Sequence, residues 1–262
     1  MTEWQTLDVN LDDRGVVYVT LNRPEKRNAL SARMIEELTE TASVFGGDSS
    51  IRAMVLSGAG ETFCAGGDLN WMREQIDADR ETRMREARRL AMMLRALNEM
   101  PVPLIGRIHG AALGGGVGMA CVCDIALADR ETRFGLTETR LGLIPATIGP
   151  YVLARLGEGR ARRVFMSSAI FGADRAVELG MVAAAVDPDG LDEAVEAEIR
   201  PYLSAAPGAV GRAKAMARAL GPAIDEAVID GSIERLADAW ETDEAKQGIS
   251  AFLDRAKPPW VS

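Results

Sequence analysis

Two glycine-rich elbows, Phe63-Cys-Ala-Gly-Gly-Asp-Leu69 and Gly110-Ala-Ala-Leu-Gly-Gly-Gly-Val-Gly118, could do chemistry through their backbone alone. Each stands where a strand pattern gives way to a helical one. N–H groups at such a helix start lack intrahelical acceptors and are free to meet negative charge. Glycine also lets a ligand approach the backbone closely and tolerates positive φ. Taken alone, each elbow reads first as a tight, closely packed turn. The carboxylates worth weighing are Glu138, Asp68 and Asp124. Glu138 is flanked by Leu136, Leu141, Leu143 and Ile144, and an apolar surround would raise its pKa toward the working range of a general acid/base. The competing reading is a surface glutamate beside Arg140. Asp68 is expected to cap the helix that follows Gly67, and Asp124 to be structural.

The exclusions narrow the chemistry. There is one histidine, His109, so a Ser-His-Asp or Cys-His mechanism would rest on it alone, and no G-x-S-x-G elbow is present. His109 lies between a strand and a glycine turn and reads as structural. Three cysteines and one histidine do not furnish a zinc site. Cys121 and Cys123, two apart on an expected helix, point to nearly opposite sides. With Cys64 they make an odd number, which fits a reducing cytosol better than a disulfide framework. Neither a P-loop nor a complete G-x-G-x-x-G occurs.

The net charge of -9 argues against a nucleic-acid binder. It leaves room for a small polyanion held by local cations such as Arg23, Lys26 and Arg27, whose plainer reading is a solvated loop. No apolar run approaches the ~20 residues of a membrane-spanning helix. The stretch Met1-Thr2-Glu3-Trp4-Gln5 lacks the basic-then-apolar pattern of a secretory leader.

The positioning elements follow from periodicity. The 262 residues, 47% apolar and 26% charged, can bury a substantial core. Strands are expected at Val16–Leu21, Ala53–Leu56, Leu104–Ile108, Ile125–Ala128 and Val182–Val186. Ser31 should cap a helix carrying Met34, Ile35, Leu38, Ala42 and Phe45 on one face, and a long helix should run Arg80–Glu99. Another helix should run from the glycine run to Cys123. From Asp192 onward only helices are expected: Asp192–Leu203, Pro207–Leu220, and Pro222–Ala256 broken near Thr242-Asp243. Short strands alternating with helices imply an α/β core with mainly parallel pairing. The expected division is a core over residues 1–195 and a helical C-terminal region over residues 196–262.

The ordered set Asn22-Arg-Pro-x-x-x-Asn-Ala-Leu30, Phe63-Cys-Ala-Gly-Gly-Asp-Leu69, Gly110-x-x-x-Gly-Gly-Gly116, Cys123-Asp-Ile125 and Phe134-Gly135 resembles the enoyl-CoA hydratase/isomerase (crotonase) family. So do Leu141-Gly-Leu-Ile-Pro145, Ala176-x-x-x-Gly-Met-Val182 and Phe252-Leu-x-x-x-x-Pro-Pro-Trp260. The resemblance runs from about residue 5 to residue 260. It implies a spiral of ββα turns with two nearly perpendicular sheets, and a C-terminal helical region used to build trimers or hexamers. It implies that an acyl-CoA thioester oxygen lies between the N–H groups of Gly67 and Gly115. CoA would run past Ala65, Gly66, Asp68 and Leu69, with Ala29, Gly114 and Gly118 alongside and the phosphates near Lys26 and Arg27. Coenzyme A belongs to the substrate, and no separate cofactor or metal is expected.

In the family's two-glutamate hydratases, one glutamate sits three residues after the middle glycine and the second twenty residues beyond it. Those positions here are Gly118 and Glu138, so one carboxylate is matched and one is absent. The stretch from Leu136 to Val152 is similar to bacterial hydratases of branched glutaconyl-CoA substrates, in which a distal carboxylate could help position the water. The implied activity is hydration of such a substrate, with Glu138 as the single acid/base. The alternatives are isomerisation or decarboxylation on the same scaffold, and a non-catalytic or RNA-binding role. Trp71, Met72 and Tyr151 read as pocket wall or core.

Overall fold

The computed structural model describes residues 4–261, so Met1, Thr2 and Glu3 of the N-terminal stretch lie outside the described residues. No helix in it is long and apolar enough to cross a membrane. Nine strands occur among the described residues. β1 (Leu7–Leu11) and β2 (Val16–Leu21) form an antiparallel hairpin with Leu7 opposite Leu21. β3 (Ala53–Gly58), β4 (Leu104–Ile108), β6 (Ile125–Asp129) and β9 (Ala184–Val186) then add in parallel, giving a sheet in the order β1-β2-β3-β4-β6-β9. A second sheet joins β5 (Ala111–Leu113), β7 (Arg133–Gly135) and β8 (Phe171–Gly172). The chain winds as a spiral, each turn laying one strand in the large sheet and one extended segment in the smaller layer. The Leu30↔Gly67 and Cys64↔Ala112 bridges extend that smaller layer.

The large sheet is covered on both faces, which is why its strands read as nearly continuous apolar runs. One face packs Val17, Val19, Met54 and Leu56 against α1 (Ala32–Gly46) and α3 (Arg80–Glu99). The other packs Val55, Ile105 and Leu127 against Leu191, Val195 and Ile199 of a helix at Leu191–Ser204. That helix crosses the boundary expected at residue 195 and lies on the sheet. Ser31 Oγ accepts from the Met34 N–H at 3.3 Å, so α1 starts at its expected cap. Only the last part of Val182–Val186 is strand, because Val182 is spent in the turn after the left-handed Gly180 cap.

The remaining helices are α2 (Leu69–Asp77), α4 (Gly115–Val122), α5 (Gly149–Leu156), α6 (Glu158–Phe165) and α7 (Ala173–Leu179), with the sheet-packed helix as α8. α9 (Pro207–Leu220), α10 (Glu226–Trp240) and α11 (Asp243–Leu253) follow, the last capped by Thr242. Lys214 Nζ in α9 meets Asp124 Oδ2 at 2.7 Å, and the same carboxylate oxygen accepts from the Leu104 N–H. Asp124 thus ties the C-terminal helices to the core.

Candidate active site

The first elbow leaves one backbone donor free. Leu30 donates its N–H to the Gly66 carbonyl at 2.8 Å and accepts from the Asp68 N–H at 3.0 Å. Both bonds of this parallel bridge belong to Leu30, so the N–H of Gly67, the residue between, points away from the ladder. Gly67 is exposed, and its N–H has no acceptor among the described residues. Asp68 then caps α2 by accepting from the Asn70 N–H, and it is pinned by Arg23 Nη2 at 2.8 Å. The Arg23 guanidinium and these N–H donors hold the Asp68 carboxyl below the usual carboxylate range against the opposing effect of burial.

The second elbow is pressed against the first. Cys64 and Ala112 bridge, with Cys64 donating to the Ala111 carbonyl and accepting from Leu113, both at 3.0 Å. Gly114 has φ +48 and spends its N–H on the Gly135 carbonyl at 2.9 Å. The next residue, Gly115, opens α4, and its N–H, like that of Gly67, has no acceptor among the described residues. A Cβ on Gly114 would stand 3.9 Å from Gly66 Cα and 3.2 Å from Glu138 Oε1. The Glu138 carboxyl thus stands against the second elbow at Gly114, where the first elbow's Gly66 also approaches.

Glu138 opens a short 3-10 turn, Glu138–Leu141, closed by the left-handed Gly142. α11 lies directly on this turn: a Cβ on Gly142 would run into the Glu244 carbonyl carbon, and one on Gly248 would stand 2.6 Å from that of Leu141. The C-terminal helix therefore buttresses the turn that carries the carboxyl. Glu138 as a whole keeps some exposure, yet its Oε2 is buried and without a hydrogen-bond partner. Burial pushes its pKa up to about 7. Leu136 and Leu143 are buried beside it as expected, whereas Ile144 is 37% exposed and faces outward.

Gly118 cannot take a side chain unless its neighbours shift. A Cβ there would meet Ile148 Cγ2 at 2.6 Å and Leu94 Cδ1 at 3.2 Å. The position of the first glutamate is thus occupied by Ile148, 1% exposed, from a different part of the chain. Nothing in the local sequence around Gly118 signals this.

The basic loop splits in two. Lys26 and Arg27 are exposed and make no ion pair among the described residues. Arg23, grouped with them from the sequence, is instead consumed by Asp68 and the Ala29 carbonyl. Ala29 is buried, Ala65 donates its N–H to the Arg27 carbonyl at 3.0 Å, and Leu69 is 47% exposed at the start of α2. The loop, the first elbow and α2 form one connected piece.

Among the wall candidates, the Trp71 ring and Met72 come within 3.8 and 3.9 Å of a Cβ on Gly67. Tyr151 is core: it is 2% exposed and its hydroxyl donates to the Ala91 carbonyl at 2.6 Å. Cys123 proves to be the C-cap of α4 rather than part of it. The three thiols are free and buried, and burial pushes each up to about 12, so none is a ready nucleophile. His109 Nε2 donates to the Gly60 carbonyl at 2.9 Å, a structural link between the start of the second elbow and the loop that precedes the first.

The profile of the enoyl-CoA hydratase/isomerase family matches residues 12–262. The chain belongs to that family. A short-chain-enoyl-CoA hydratase of Clostridium acetobutylicum is 33% identical over 95% of this chain and 96% of its own length. The (E)-benzylidenesuccinyl-CoA hydratase of Thauera aromatica is 30% identical over 97% of each. Among solved structures, Pseudomonas aeruginosa AtuE is 36% identical with a TM-score of 0.81, covering 98% of this chain and 100% of that one. An enoyl-CoA hydratase from Mycobacterium avium aligns with a TM-score of 0.84 at 30% identity, covering 97% and 98%. The protein therefore has the crotonase-like fold and is an enzyme of the enoyl-CoA hydro-lyase class.

Proposed function

We propose that the protein hydrates a branched, carboxylated α,β-unsaturated acyl-CoA of glutaconyl type, using Glu138 as its only acid/base. The observation that supports this reading is a carboxyl set beside Gly114, next to the acceptor-free N–H of Gly115, on an elbow that bridges to the one carrying the acceptor-free N–H of Gly67. The thioester oxygen would sit between the two donors, which are fixed before the reaction begins. They would stabilise the negative charge that reaches this oxygen as hydroxide adds to the β-carbon. Glu138 takes the proton of the attacking water and returns it to the α-carbon, so the carboxylate is regenerated. A pKa near 7 suits a group that must both accept and give a proton at neutral pH. The substrate's own distal carboxylate would help position the water that a second glutamate would otherwise hold.

CoA would enter along Ala29, Ala65, Gly66, Asp68 and Leu69, with Lys26 and Arg27 meeting its phosphates and Gly114 and Gly118 packed behind the thioester. Support for a carboxylated acyl group comes from a relative named for a succinyl-type thioester. The C-terminal region beyond residue 195 would assemble the enzyme as a homotrimer or a pair of trimers. Met216 and Leu220 on α9 are 62% and 82% exposed, which leaves an apolar face for such contacts. Three free, buried thiols suit the reducing cytoplasm.

Double-bond isomerisation is the second reading, favoured by one observation. Ile148 leaves no room for a second carboxylate at position 118, and a proton shuttle between two carbons needs only one. The Glu138→Gln variant tests the role of the carboxyl. Turnover should fall about 10²-fold or more while calorimetry still detects acyl-CoA binding. Near-normal turnover with intact binding would exclude Glu138 as the relay.

A further inference from the structure

Five buried side-chain nitrogen or oxygen atoms lack a hydrogen-bond partner among the described residues. Four lie on α2 and the Glu138 turn: Trp71 Nε1, Oε1 of the buried Gln75, Glu138 Oε2 and Thr139 Oγ1. The fifth, Nε of Arg52, stands apart, just ahead of β3. Nη2 of this guanidinium is spent on the Tyr202, Leu203 and Ala205 carbonyls at the end of α8. Neither Nε nor Nη1 has an acceptor among the described residues. A buried N–H without an acceptor is costly, and an oxyanion is the partner that a guanidinium takes best.

Arg52 lines a cavity of about 400 Å³ together with Arg212 of α9. Arg212 is exposed and makes no hydrogen bond or ion pair among the described residues. Its side chain reaches back along the helix, so that Nη1 lies 3.3 Å from a Cβ on Gly208. Gly208 also lines the cavity, and Ala205, three residues earlier, is the residue whose carbonyl holds Arg52. The two guanidinium groups thus flank one short stretch of chain. One carboxylate, Asp48, shares the lining, and it already accepts from the Ser50 N–H and hydroxyl at 2.8 and 2.7 Å. Two cations against one anion leave a single net positive charge, which suits a monoanion better than a phosphate dianion. Ile51, Val102 and Val210 supply apolar wall. The volume is many times the ~30 Å³ of a water molecule, enough for an acid group on a short hydrocarbon body.

We propose that this cavity binds a small organic monocarboxylate, its oxygens forked between Arg52 and Arg212 and its hydrocarbon body against Ile51, Val102 and Val210. The site is separate from the elbows. Arg52 precedes β3, whereas the first elbow starts beside Gly58 at the strand's other end, roughly 17 Å away. A ligand here can be held at the same time as acyl-CoA. It would pin α9, through Val210 and Arg212, to the segments that lead into β3 and β4. Its effect falls on stability and leaves turnover alone.

The test is calorimetric titration of the enzyme with sodium butyrate, with butyramide as the uncharged counterpart. One butyrate per chain should bind saturably, and butyramide should bind about tenfold more weakly or worse. Arg212→Gln removes an exposed side chain that has no partner, so the fold is kept. It should weaken butyrate about tenfold and abolish the rise in melting temperature that butyrate gives wild type, with acyl-CoA turnover unchanged. Glu138→Gln, altered at the elbows, should bind butyrate as wild type does. Absence of saturable binding, equal binding of butyramide, or undiminished binding by Arg212→Gln would overturn the proposal. Loss of butyrate binding in Glu138→Gln would overturn it too, by moving the ligand to the thioester site.

Discussion

Ile148 Cγ2 stands 2.6 Å from the point where a Cβ on Gly118 would lie. The gap between this chain and a two-glutamate hydratase is therefore steric as well as chemical. Gly118→Ala should destabilise the fold by about 1–3 kcal/mol through overpacking, read as a lower melting temperature. Gly118→Glu should not raise turnover, because its carboxylate has nowhere to stand. In a double-mutant cycle, Ile148→Ala combined with Gly118→Ala should cost less than the sum of the single changes. Strict additivity would mean that Ile148 does not fill the position.

Glu138 also couples catalysis to stability. Its folded pKa is raised to about 7 from the ordinary 4.5, so the folded state binds its proton more tightly than the unfolded chain does. Its contribution to stability is full below about pH 4.5 and is lost as pH rises toward 7. The loss can reach about 1.4 kcal/mol per pH unit across that window. Glu138→Gln, which cannot ionise, should be more stable than wild type at pH 8, with the advantage shrinking toward pH 4.5. Denaturant titrations at the two pH values would check the sign.

Arg23 and Asp68 should behave oppositely with pH. The Asp68 carboxyl is held below its usual value, so its contribution is present at neutral pH and disappears as pH falls through the folded pKa. Asp68→Ala removes both the cap of α2 and the ion pair, and should cost about 1 kcal/mol or more at pH 7. That difference should start to shrink only below about pH 3.8 and fall further as pH drops through the lower folded value. A thermal melt series from pH 3 to pH 7 measures it.

Lys26 and Arg27 should act on binding. Replacing either with alanine should raise KM for an acyl-CoA more than it lowers kcat. The effect should weaken as salt screens the exposed charges. Arg23→Met, though only three residues away, should instead lower stability, since its guanidinium is spent within the protein.

Long elements were legible in the sequence and short ones were not. α1 and α3 run far enough to display a 3.6-residue rhythm, and the strands of the large sheet stand out because both faces are buried. β5 and β7 have three residues each and β8 two, too few to show alternation, although β5 and β7 flank the second elbow. β1, an edge strand, exposes polar residues and was hidden for that reason. The elbows and Glu138 were visible through glycine spacing and family resemblance. The reason Gly118 must be glycine was not, because Ile148 comes from another segment and only the fold brings them together. Nor could local sequence separate Arg23 from Lys26 and Arg27, which differ in what the fold sets against them. Gln75 went unnoticed because one glutamine on a short polar helix reads as surface until its burial is known.

The central claim is that one carboxyl beside two free N–H groups adds water to a conjugated thioester. The most direct measurement is the product mass after incubating the enzyme with crotonyl-, 3-methylcrotonyl- and 3-methylglutaconyl-CoA. A gain of one water, greatest with 3-methylglutaconyl-CoA, is the predicted result. Products of unchanged mass with a shifted double bond, or products that have lost carbon dioxide, would contradict it.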